Sequence, residues 1–314
     1  MTTPVTGALA CTLISGSYHI GAAALANSLH RLGYEGVFTV FHRGPRPDWP
    51  ADGRWTAPDR LELGAMAVRF VPDDDDRFIA LRKPACLKAL FDLEPDCEAA
   101  AFVDADIVMR ARWQRIAFWI SCGIAVCGDG WMQQTPSDEH PLRVQWRTVL
   151  AELGRSSRAI APYFNSGFVG VQRRHLDFVD LWQAVTDRVT AGSTAPIAHT
   201  HTTDRSDPFY IPDQDAMNVA LMGVDAPISA LGPEDMGFSA FGTHMTHFAT
   251  HPKPWLASYT RRALSGLQPS PAERQFWDNL DGPIRPLSAS MRRRRVLDLD
   301  IARIIGRFYA RPSA

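Results

Sequence analysis

The stretch "EAAAFVDADIVMR", residues 98–110, places two aspartates directly after a short run of apolar residues. The apolar run predicts a buried β-strand in a sheet that is covered on both faces. Asp104 and Asp106 follow at the carboxyl end of this strand, which is where open α/β sheets bind their ligands. Alternation along an extended chain would send both side chains to the same side. Since two neighbouring carboxylates repel each other, the sequence predicts a divalent cation between them.

The residues that precede this stretch predict the fold class. "GALACTLI" (7–14) and "GVFTVF" (36–41) are typical of buried strands, and "IGAAALANSLHRLG" (20–33) between them has helical spacing. A strand, a helix and a strand in this order indicate a βαβ unit and therefore a largely parallel sheet. A third strand, "MAVRFV" (66–71), and a helix within residues 78–96 follow. We expect an α/β fold.

Further elements are predicted downstream. "YFNSGFVGV" (163–171) indicates a strand, and helices are expected over residues 142–153 and 175–190, the second with its aromatic residues in the core. Residues 191–212 are polar and are expected to form either a loop that covers a substrate or a mobile segment. The acidic run "DDDD" (73–76) is interpreted as a solvated loop without a functional role, because adjacent like charges cannot all face one ion.

Composition limits the classes of function. The chain has 314 residues, 46% of them hydrophobic, and a formal net charge of −1, so it has no overall field for steering nucleic acid. Five scattered cysteines predict free, mostly buried thiols in a reducing compartment. No apolar run approaches the roughly 20 residues that cross a bilayer. We therefore expect a cytoplasmic protein that does not bind nucleic acid.

The composition changes near Gly266, which suggests a domain over residues 1–265 and a C-terminal segment over residues 266–314. This segment begins with a proline-rich stretch and ends with a basic amphipathic helix, in which Arg292 to Arg295 adjoin apolar residues. Two interpretations stay open. The helix docks on the domain or on a second subunit to form a homodimer, or it anchors the protein peripherally at an anionic membrane surface, the inner face of the membrane.

Four other stretches carry polar residues that accompany the two aspartates. They are "YFNSGFVGV" with Asn165, Ser166 and Gly167, "IPDQDAMN" with Asp213, Gln214 and Asn218, "THFATHPKPW" with His247 and Lys253, and "SGSYHIG" after the first strand. With these motifs in this order, residues 8–260 resemble the retaining, metal-dependent glycosyltransferases of the GT-A fold. The resemblance is strongest to glycosyltransferase family eight, which includes glycogenin and the lipopolysaccharide galactosyltransferases. It implies one Rossmann-like nucleotide-diphospho-sugar transferase domain with a helical C-terminal tail.

The resemblance also implies a metal site and a donor site. Asp104, Asp106 and His247 would bind Mn²⁺ or Mg²⁺, and a nitrogen ligand beside carboxylates suits Mn²⁺ better than Ca²⁺. The cation would stabilise negative charge on the diphosphate of a nucleotide-sugar donor. Tyr18 would stack on the base, although a tyrosine that caps the first helix is the simpler interpretation. The donor residues implied are Leu13, Ser15, Tyr18, Lys83, Asp104, Asn165, Ser166, Gly167 and Lys253.

The catalytic candidates that the resemblance implies are Asp213 and Gln214. A retaining transferase needs either a nucleophile beneath the anomeric carbon or a site that stabilises an oxocarbenium ion. Gln214 would present its amide oxygen to the anomeric centre and Asp213 would bind sugar hydroxyls, with Asp215 the less favoured partner. The same stretch is also typical of a helix N-terminus with an acidic first turn.

Some residues near the motifs have simpler interpretations. Asp129 lies between two glycines and is interpreted as a turn residue, with a contact to the acceptor or the donor sugar as the alternative. Trp131, Trp146 and Trp255 are candidates for stacking on sugar faces, although Trp255 is better explained by packing beneath a loop. These positions are not assigned to the site.

The expected activity is transfer of a hexose from a nucleoside-diphosphate sugar, with UDP the favoured nucleotide, to a glycan, a glycolipid or a small-molecule acceptor. One alternative is a phosphatase of the haloacid-dehalogenase type, whose D-x-D-x-V pattern "DADIV" matches. That motif normally opens its domain, however, whereas about a hundred residues precede it here. The other alternative is a non-catalytic protein that binds sugar nucleotides.

Overall fold

The computed structural model describes residues 7–130, 137–192, 197, 199–202, 204–238 and 242–309. The strands within these ranges are β1 Leu9–Ser15, β2 Gly36–Arg43, β3 Arg54–Ala57, β4 Arg60–Leu63, β5 Met66–Pro72, β6 Ala99–Val103, β7 Ile107–Met109, β8 Ile124–Gly128, β9 Phe164–Gln172, β10 Ile228–Leu231 and β11 Met245–His247. The α-helices within them are α1 Tyr18–Arg31, α2 Lys83–Leu93, α3 Trp113–Ser121, α4 Pro141–Glu152, α5 Leu176–Gly192, α6 Pro212–Met222, α7 Tyr259–Leu264, α8 Pro271–Asn279 and α9 Ala289–Tyr309.

Nine of the described strands form one mixed sheet in the order β10-β8-β9-β6-β1-β2-β5-β4-β3. Strand β1 pairs in parallel with β2 and β6, and β2 pairs in parallel with β5. Strand β9 runs antiparallel to both of its neighbours, β6 and β8. The predicted α/β class is confirmed, and the arrangement is compatible with a Rossmann-like fold. The sheet is more mixed than expected, because β9 and the β3–β4–β5 meander bring antiparallel pairs.

The central strands are buried on both faces because their side chains alternate between two apolar layers. In β1, Ala10 and Ile14 contact one layer, whereas Cys11 and Leu13 contact the other. Helices α1, α3, α7, α8 and α9 contribute to the first layer, and α2, α4, α5 and α6 contribute to the second. The predicted coverage of both faces is therefore confirmed.

Several predicted elements lie where the periodicity placed them. The helix expected over residues 142–153 is α4, Pro141–Glu152, and the aromatic helix is α5 with Phe178 and Trp182 fully buried. Short strands β3 and β4 were not predicted, because each has only four residues and too few alternating positions to show a period. Of the loop predicted over residues 191–212, residues 193–196, 198 and 203 lie outside the described ranges.

The C-terminal segment is part of the first apolar layer. Phe276, Trp277 and Ile284 are fully buried there with residues of α1. The Asn27 side chain of α1 donates to the carbonyls of Asn279 (2.8 Å) and Ile284 (2.9 Å) and accepts from the Ile284 N–H (2.9 Å). One buried side chain thus joins helix α1 to the chain that follows α8.

Two expectations about the whole chain concern thiols and membrane spans. All five cysteines are free, and four of them are buried, as predicted. Among the described helices, none combines the length and the apolar character that crossing a bilayer requires.

We predict that Asn27→Ala lowers the free energy of unfolding by about 3 kcal/mol, because three buried backbone groups lose their partner. Chemical denaturation monitored by circular dichroism measures this change. His30→Ala, an exposed position on the same helix, is the matched control and should shift stability by less than about 0.5 kcal/mol. Equal effects of the two substitutions would show that Asn27 does not hold the C-terminal segment.

Candidate functional site

The two aspartates lie in a turn between β6 and β7. The Ile107 N–H donates to the Asp104 carbonyl (3.0 Å), and the Asp104 N–H donates to the Gly167 carbonyl of β9 (2.7 Å). The alignment of the two side chains was predicted from an extended chain. That explanation is wrong, because β6 ends at Val103 and the aspartates follow it in a turn. The turn nevertheless brings both carboxylates to one side, with Ala105 between them buried in the core.

A two-stranded sheet brings His247 to these carboxylates. Strand β11 pairs antiparallel with β7, His247 lies opposite Ile107, and the Phe248 N–H donates to the Asp106 carbonyl (2.9 Å). The His247 Nε2 atom lies 3.2 Å from Asp106 Oδ1 and 3.8 Å from Asp104 Oδ2. His247, more than a hundred positions further along the chain, therefore forms one cluster with Asp104 and Asp106.

Gly167 makes room for the His247 ring. A Cβ atom at this position would lie 2.6 Å from His247 Cε1 and 2.8 Å from Asn165 Oδ1. The resemblance implies that Gly167 contacts the donor, and the structure shows that this glycine also allows a close contact within the protein. A larger residue would therefore require His247 or Asn165 to move.

Two buried lysines neutralise part of the acidic charge. Lys83 Nζ lies 3.1 Å from Asp104 Oδ2, 3.0 Å from Asp213 Oδ2 and 3.0 Å from Ser166 Oγ. Lys253 Nζ lies 2.5 Å from Asp106 Oδ2 and donates to the Phe248 carbonyl (2.8 Å). Burial alone would lower the pKa of Lys83, but Asp104 and Asp213 raise it above its ordinary range, so Lys83 stays charged.

The pKa values of the two aspartates move in opposite directions. Burial would raise the pKa of Asp106, but His247 and Lys253 outweigh burial and hold this pKa well below its ordinary value. Burial raises the pKa of Asp104, against the lowering effect of Lys83, and the Asp106 charge raises it further. Asp106 is thus a ready carboxylate ligand, whereas Asp104 gains most from a positive charge close by.

The residues present fit a divalent metal ion. Ligand atoms of Asp104, Asp106 and His247 all lie within 4.8 Å of one another. Two carboxylates and one imidazole suit a hard or borderline divalent cation such as Mg²⁺ or Mn²⁺. A metal-binding imidazole usually donates its second ring N–H to a carboxylate, a backbone carbonyl or water. The His247 Nδ1 atom is buried and has no partner among the described residues. The cluster can hold a metal ion.

The polar residues of β9 and α6 form a second cluster around Asp129. The side-chain amides of Asn165 (2.9 Å) and Gln214 (3.1 Å) both donate to Asp129 Oδ2. The Ser166 N–H donates to Gln214 Oε1 (3.2 Å), and the Ser166 hydroxyl donates to Asp213 Oδ2 (2.8 Å). The interpretation of Asp129 as a simple turn residue is therefore wrong, since its buried carboxylate holds two candidate site residues.

Helix α6 is fixed to β9 by Asn218 and Asp215. The Asn218 side chain accepts from the Phe164 N–H (2.9 Å) and donates to the Phe164 carbonyl (2.8 Å). The Asp215 carboxylate accepts from the Tyr163 hydroxyl and from the Ile211 N–H, each at 2.7 Å. Asp215 thus supports the start of the helix. The motif signals a helix N-terminus, but these contacts across the fold were not visible in the sequence.

The predicted base-binding residues lie around the end of β1. Tyr18 is the first residue of α1, contacts the Trp255 ring edge-on (5.4 Å between centroids), and lies with its ring centroid 5.9 Å from Lys253 Nζ. Burial, followed by the charges of Asp106 and Asp104, raises the pKa of Tyr18. Ser15 is half-buried at the end of β1, whereas Leu13 is buried in the second apolar layer.

The tryptophan candidates have different outcomes. Trp146 is fully buried and donates to the Pro208 carbonyl (2.7 Å), so the prediction that it stacks on a sugar is wrong. Trp255 is 3% exposed and packs between Tyr18 and Phe276, as its simpler interpretation predicted. Trp131 lies outside the described residues.

The acidic run after β5 is not merely solvated. Asp73 is buried and forms ion pairs with Arg43 (2.7 Å) and Arg82 (2.9 Å), and Asp75 pairs with Arg82 (2.9 Å). These contacts hold the 3₁₀ turn Ile79–Arg82, which directly precedes Lys83. The expectation of no role is therefore wrong for Asp73. Two arginine side chains, rather than a metal ion, compensate its charge.

Comparison of the chain with protein-family models finds no match, and comparison with curated proteins finds none either.

We predict that Mn²⁺ binds the chain in calorimetry and that Asp104→Asn and His247→Gln each weaken binding by at least about tenfold, because each removes one ligand. Asp180→Asn, a surface carboxylate with a side chain 52% exposed, is the control and should bind Mn²⁺ as the wild type does. Unchanged binding in both ligand variants would place the metal elsewhere.

A second prediction concerns pH. Burial raises the pKa of Asp215 from 3.8 to about 8, against the lowering effects of the hydrogen bonds from Tyr163 and Ile211. The folded state then retains a proton that the unfolded state has lost, so stability falls as pH rises from the unfolded pKa to the folded one, by at most about 1.4 kcal/mol per pH unit.

The isosteric variant Asp215→Asn lacks this titration. Between about pH 5 and pH 8, urea unfolding should show that the wild type loses more stability than the variant does. If both proteins lose the same amount, the Asp215 carboxylate stays ionised in the fold.

Proposed function

We propose that the chain is a metal-dependent retaining glycosyltransferase with a GT-A fold, similar to glycosyltransferase family eight. It would transfer a hexose from a nucleoside-diphosphate sugar, with UDP the favoured nucleotide, to a glycan, glycolipid or small-molecule acceptor. One observation carries the proposal: Asp104, Asp106 and His247 form a metal-ligand cluster whose carboxylates also contact two buried lysines. The cluster lies beside the beginning of β9, at the edge of the sheet where parallel strands end.

The charge of the cluster suits a diphosphate only when a cation is bound. Asp104, Asp106 and Asp213 bring three carboxylates, and Lys83 and Lys253 bring two ammonium groups. A divalent ion would reverse the remaining negative charge and so attract an anionic donor. When bound, it would supply Lewis-acid stabilisation of the charge on the leaving group. Lys83 and Lys253 would add hydrogen-bond donors for phosphate oxygens.

The first turn of α6 would face the donor sugar. Asp213 would accept hydrogen bonds from sugar hydroxyls, and Gln214 would turn its amide oxygen to the anomeric centre. This oxygen already accepts from the Ser166 N–H (3.2 Å), but an amide oxygen has two lone pairs and can keep that bond. Asp129 orients the amide by accepting from its nitrogen.

The remaining donor contacts follow from the positions around β1 and β9. Tyr18 and Ser15 would contact the base and the ribose at the end of β1, with Leu13 behind them. Asn165 and Ser166 would contact donor hydroxyls or phosphates. We propose a cytoplasmic site of action, which accords with free cysteines.

The first experiment is a panel of UDP-, GDP-, TDP- and CDP-sugars in thermal shift and calorimetry, with Mn²⁺ and with a chelator. We expect one nucleotide to stabilise the fold by about 2.7 kcal/mol at 100 times its dissociation constant, and only with the metal. Asp104→Asn should lose the effect. No shift with any nucleotide would contradict the proposal.

Variants of Gln214 separate catalysis from binding. Donor hydrolysis or transfer should fall at least about a hundredfold in Gln214→Ala, with donor binding changed by less than about fivefold. A protein that binds donor and metal but never turns the donor over would instead be a non-catalytic binder. Hydrolysis of a generic phosphomonoester that Asp104→Asn abolishes would indicate a phosphatase of the haloacid-dehalogenase type.

A further inference from the structure

Helix α9 docks on the protein through one of its faces. Leu299 and Ala302 are fully buried in the first apolar layer. The Asp298 carboxylate accepts from the N–H groups of Tyr259 (2.9 Å) and Thr260 (3.1 Å), at the start of α7. These contacts explain the burial of one face of α9. They do not explain the residues on its other face.

The opposite face exposes a line of large apolar residues. Leu297, Ile301, Ile304 and Phe308 follow one another at three or four positions, so they share one face of the helix. Their exposed fractions are 59%, 42%, 58% and 79%. We call these four residues the apolar stripe. Exposure of four such residues in one line, rather than singly, indicates an interaction surface.

Helix α9 also carries several arginines, and both of its aspartates have partners. The helix has six arginines and two aspartates, and the aspartates are paired, Asp298 with the start of α7 and Asp300 with Arg274 (2.7 Å). Two arginines are also engaged, Arg292 with Asp281 and Arg295 with the Ala257 carbonyl. Within the described part of α9, the four exposed arginines form no ion pair: Arg293, Arg294, Arg303 and Arg307.

We propose that this face of α9 binds an anionic lipid bilayer. The apolar stripe would lie at the boundary between headgroups and acyl chains, and the four unpaired arginines would contact lipid phosphates. The charge of the face selects this partner over a second copy of the chain. In a two-fold dimer the same basic face would meet itself, and its arginines would repel each other. The proposal does not depend on the activity of the site.

Vesicle co-sedimentation of the full chain tests the proposal. Phosphatidylcholine vesicles are compared with vesicles in which phosphatidylglycerol replaces part of the phosphatidylcholine, at low and at physiological salt. We expect binding to the anionic vesicles alone, weaker at the higher salt because the charges are exposed. Absence of binding to anionic vesicles at low salt would overturn the proposal.

Two double variants test the two components of the face. Arg293→Gln with Arg294→Gln should weaken binding by roughly 30-fold, because each arginine near an anionic surface contributes about fivefold. Ile304→Asn with Phe308→Ser should weaken it by at least about tenfold, since less apolar area is buried. Neither should change the melting temperature, because all four side chains are exposed.

The matched controls lie on and before helix α3. Phe118→Ser removes a side chain that is 58% exposed, the same fraction as Ile304, and Arg112→Gln with Arg115→Gln removes two exposed charges. Both controls should bind vesicles as the wild type does. Equal losses in the controls would overturn the assignment to α9. A dimer in analytical ultracentrifugation that only the α9 variants dissociate, without vesicle binding, would identify a second copy as the partner instead.

Discussion

The candidate site depends on the buried ammonium group of Lys83. It contacts Asp104 after β6, Asp213 in α6 and the Ser166 hydroxyl in β9, and so joins three elements from distant parts of the chain. A buried charge is stable only when paired and hydrogen-bonded, which makes each contact necessary to the others. The ion pair between Asp73 and Arg82 holds the 3₁₀ turn Ile79–Arg82, and this turn determines the position of Lys83. Because the turn fixes the position of the Lys83 ammonium group, it also fixes the spacing of the carboxylates that contact this group.

The same charges explain why the cluster could hold a metal ion. Each lysine compensates one aspartate of the D-x-D turn, yet Asp213 leaves a further carboxylate in the cluster. Asp104 is the carboxylate whose pKa burial raises, so it is the one that a nearby cation would most stabilise in its ionised form. His247 contributes a ligand without adding negative charge. The three ligands can therefore hold a metal ion.

Features of the fold and the site that depend on neighbouring residues were predictable from the sequence, whereas features that depend on contacts between distant residues were not. The βαβ unit and the buried strand before Asp104 follow from local periodicity, and the helix N-terminus at Asp213 follows from its acidic first turn. The structure contains all three. The antiparallel direction of β9 does not follow, because side-chain alternation is the same in both directions. This direction brings Asn165 and Ser166 to the end of β6, where Asp104 lies. The motifs suggested Asp104, Asp106 and His247 together, whereas the pairing of Lys83 with Asp213 and the roles of Asp73 and Asp129 arise only from tertiary contacts.

The C-terminal segment is linked to the candidate site by a continuous series of contacts. Tyr18 packs on Trp255, and Trp255 packs on Phe276 of α8, each pair with ring centroids 5.4 Å apart. Helix α7 begins six residues after Lys253, and Asp298 of α9 caps its first N–H groups. Removal of α8 and α9 would therefore take the Phe276 ring away from Trp255 and loosen the loop that carries Lys253. The outer face of α9 takes no part in these contacts, so a surface bound there would leave the packing around Tyr18 and Lys253 unchanged.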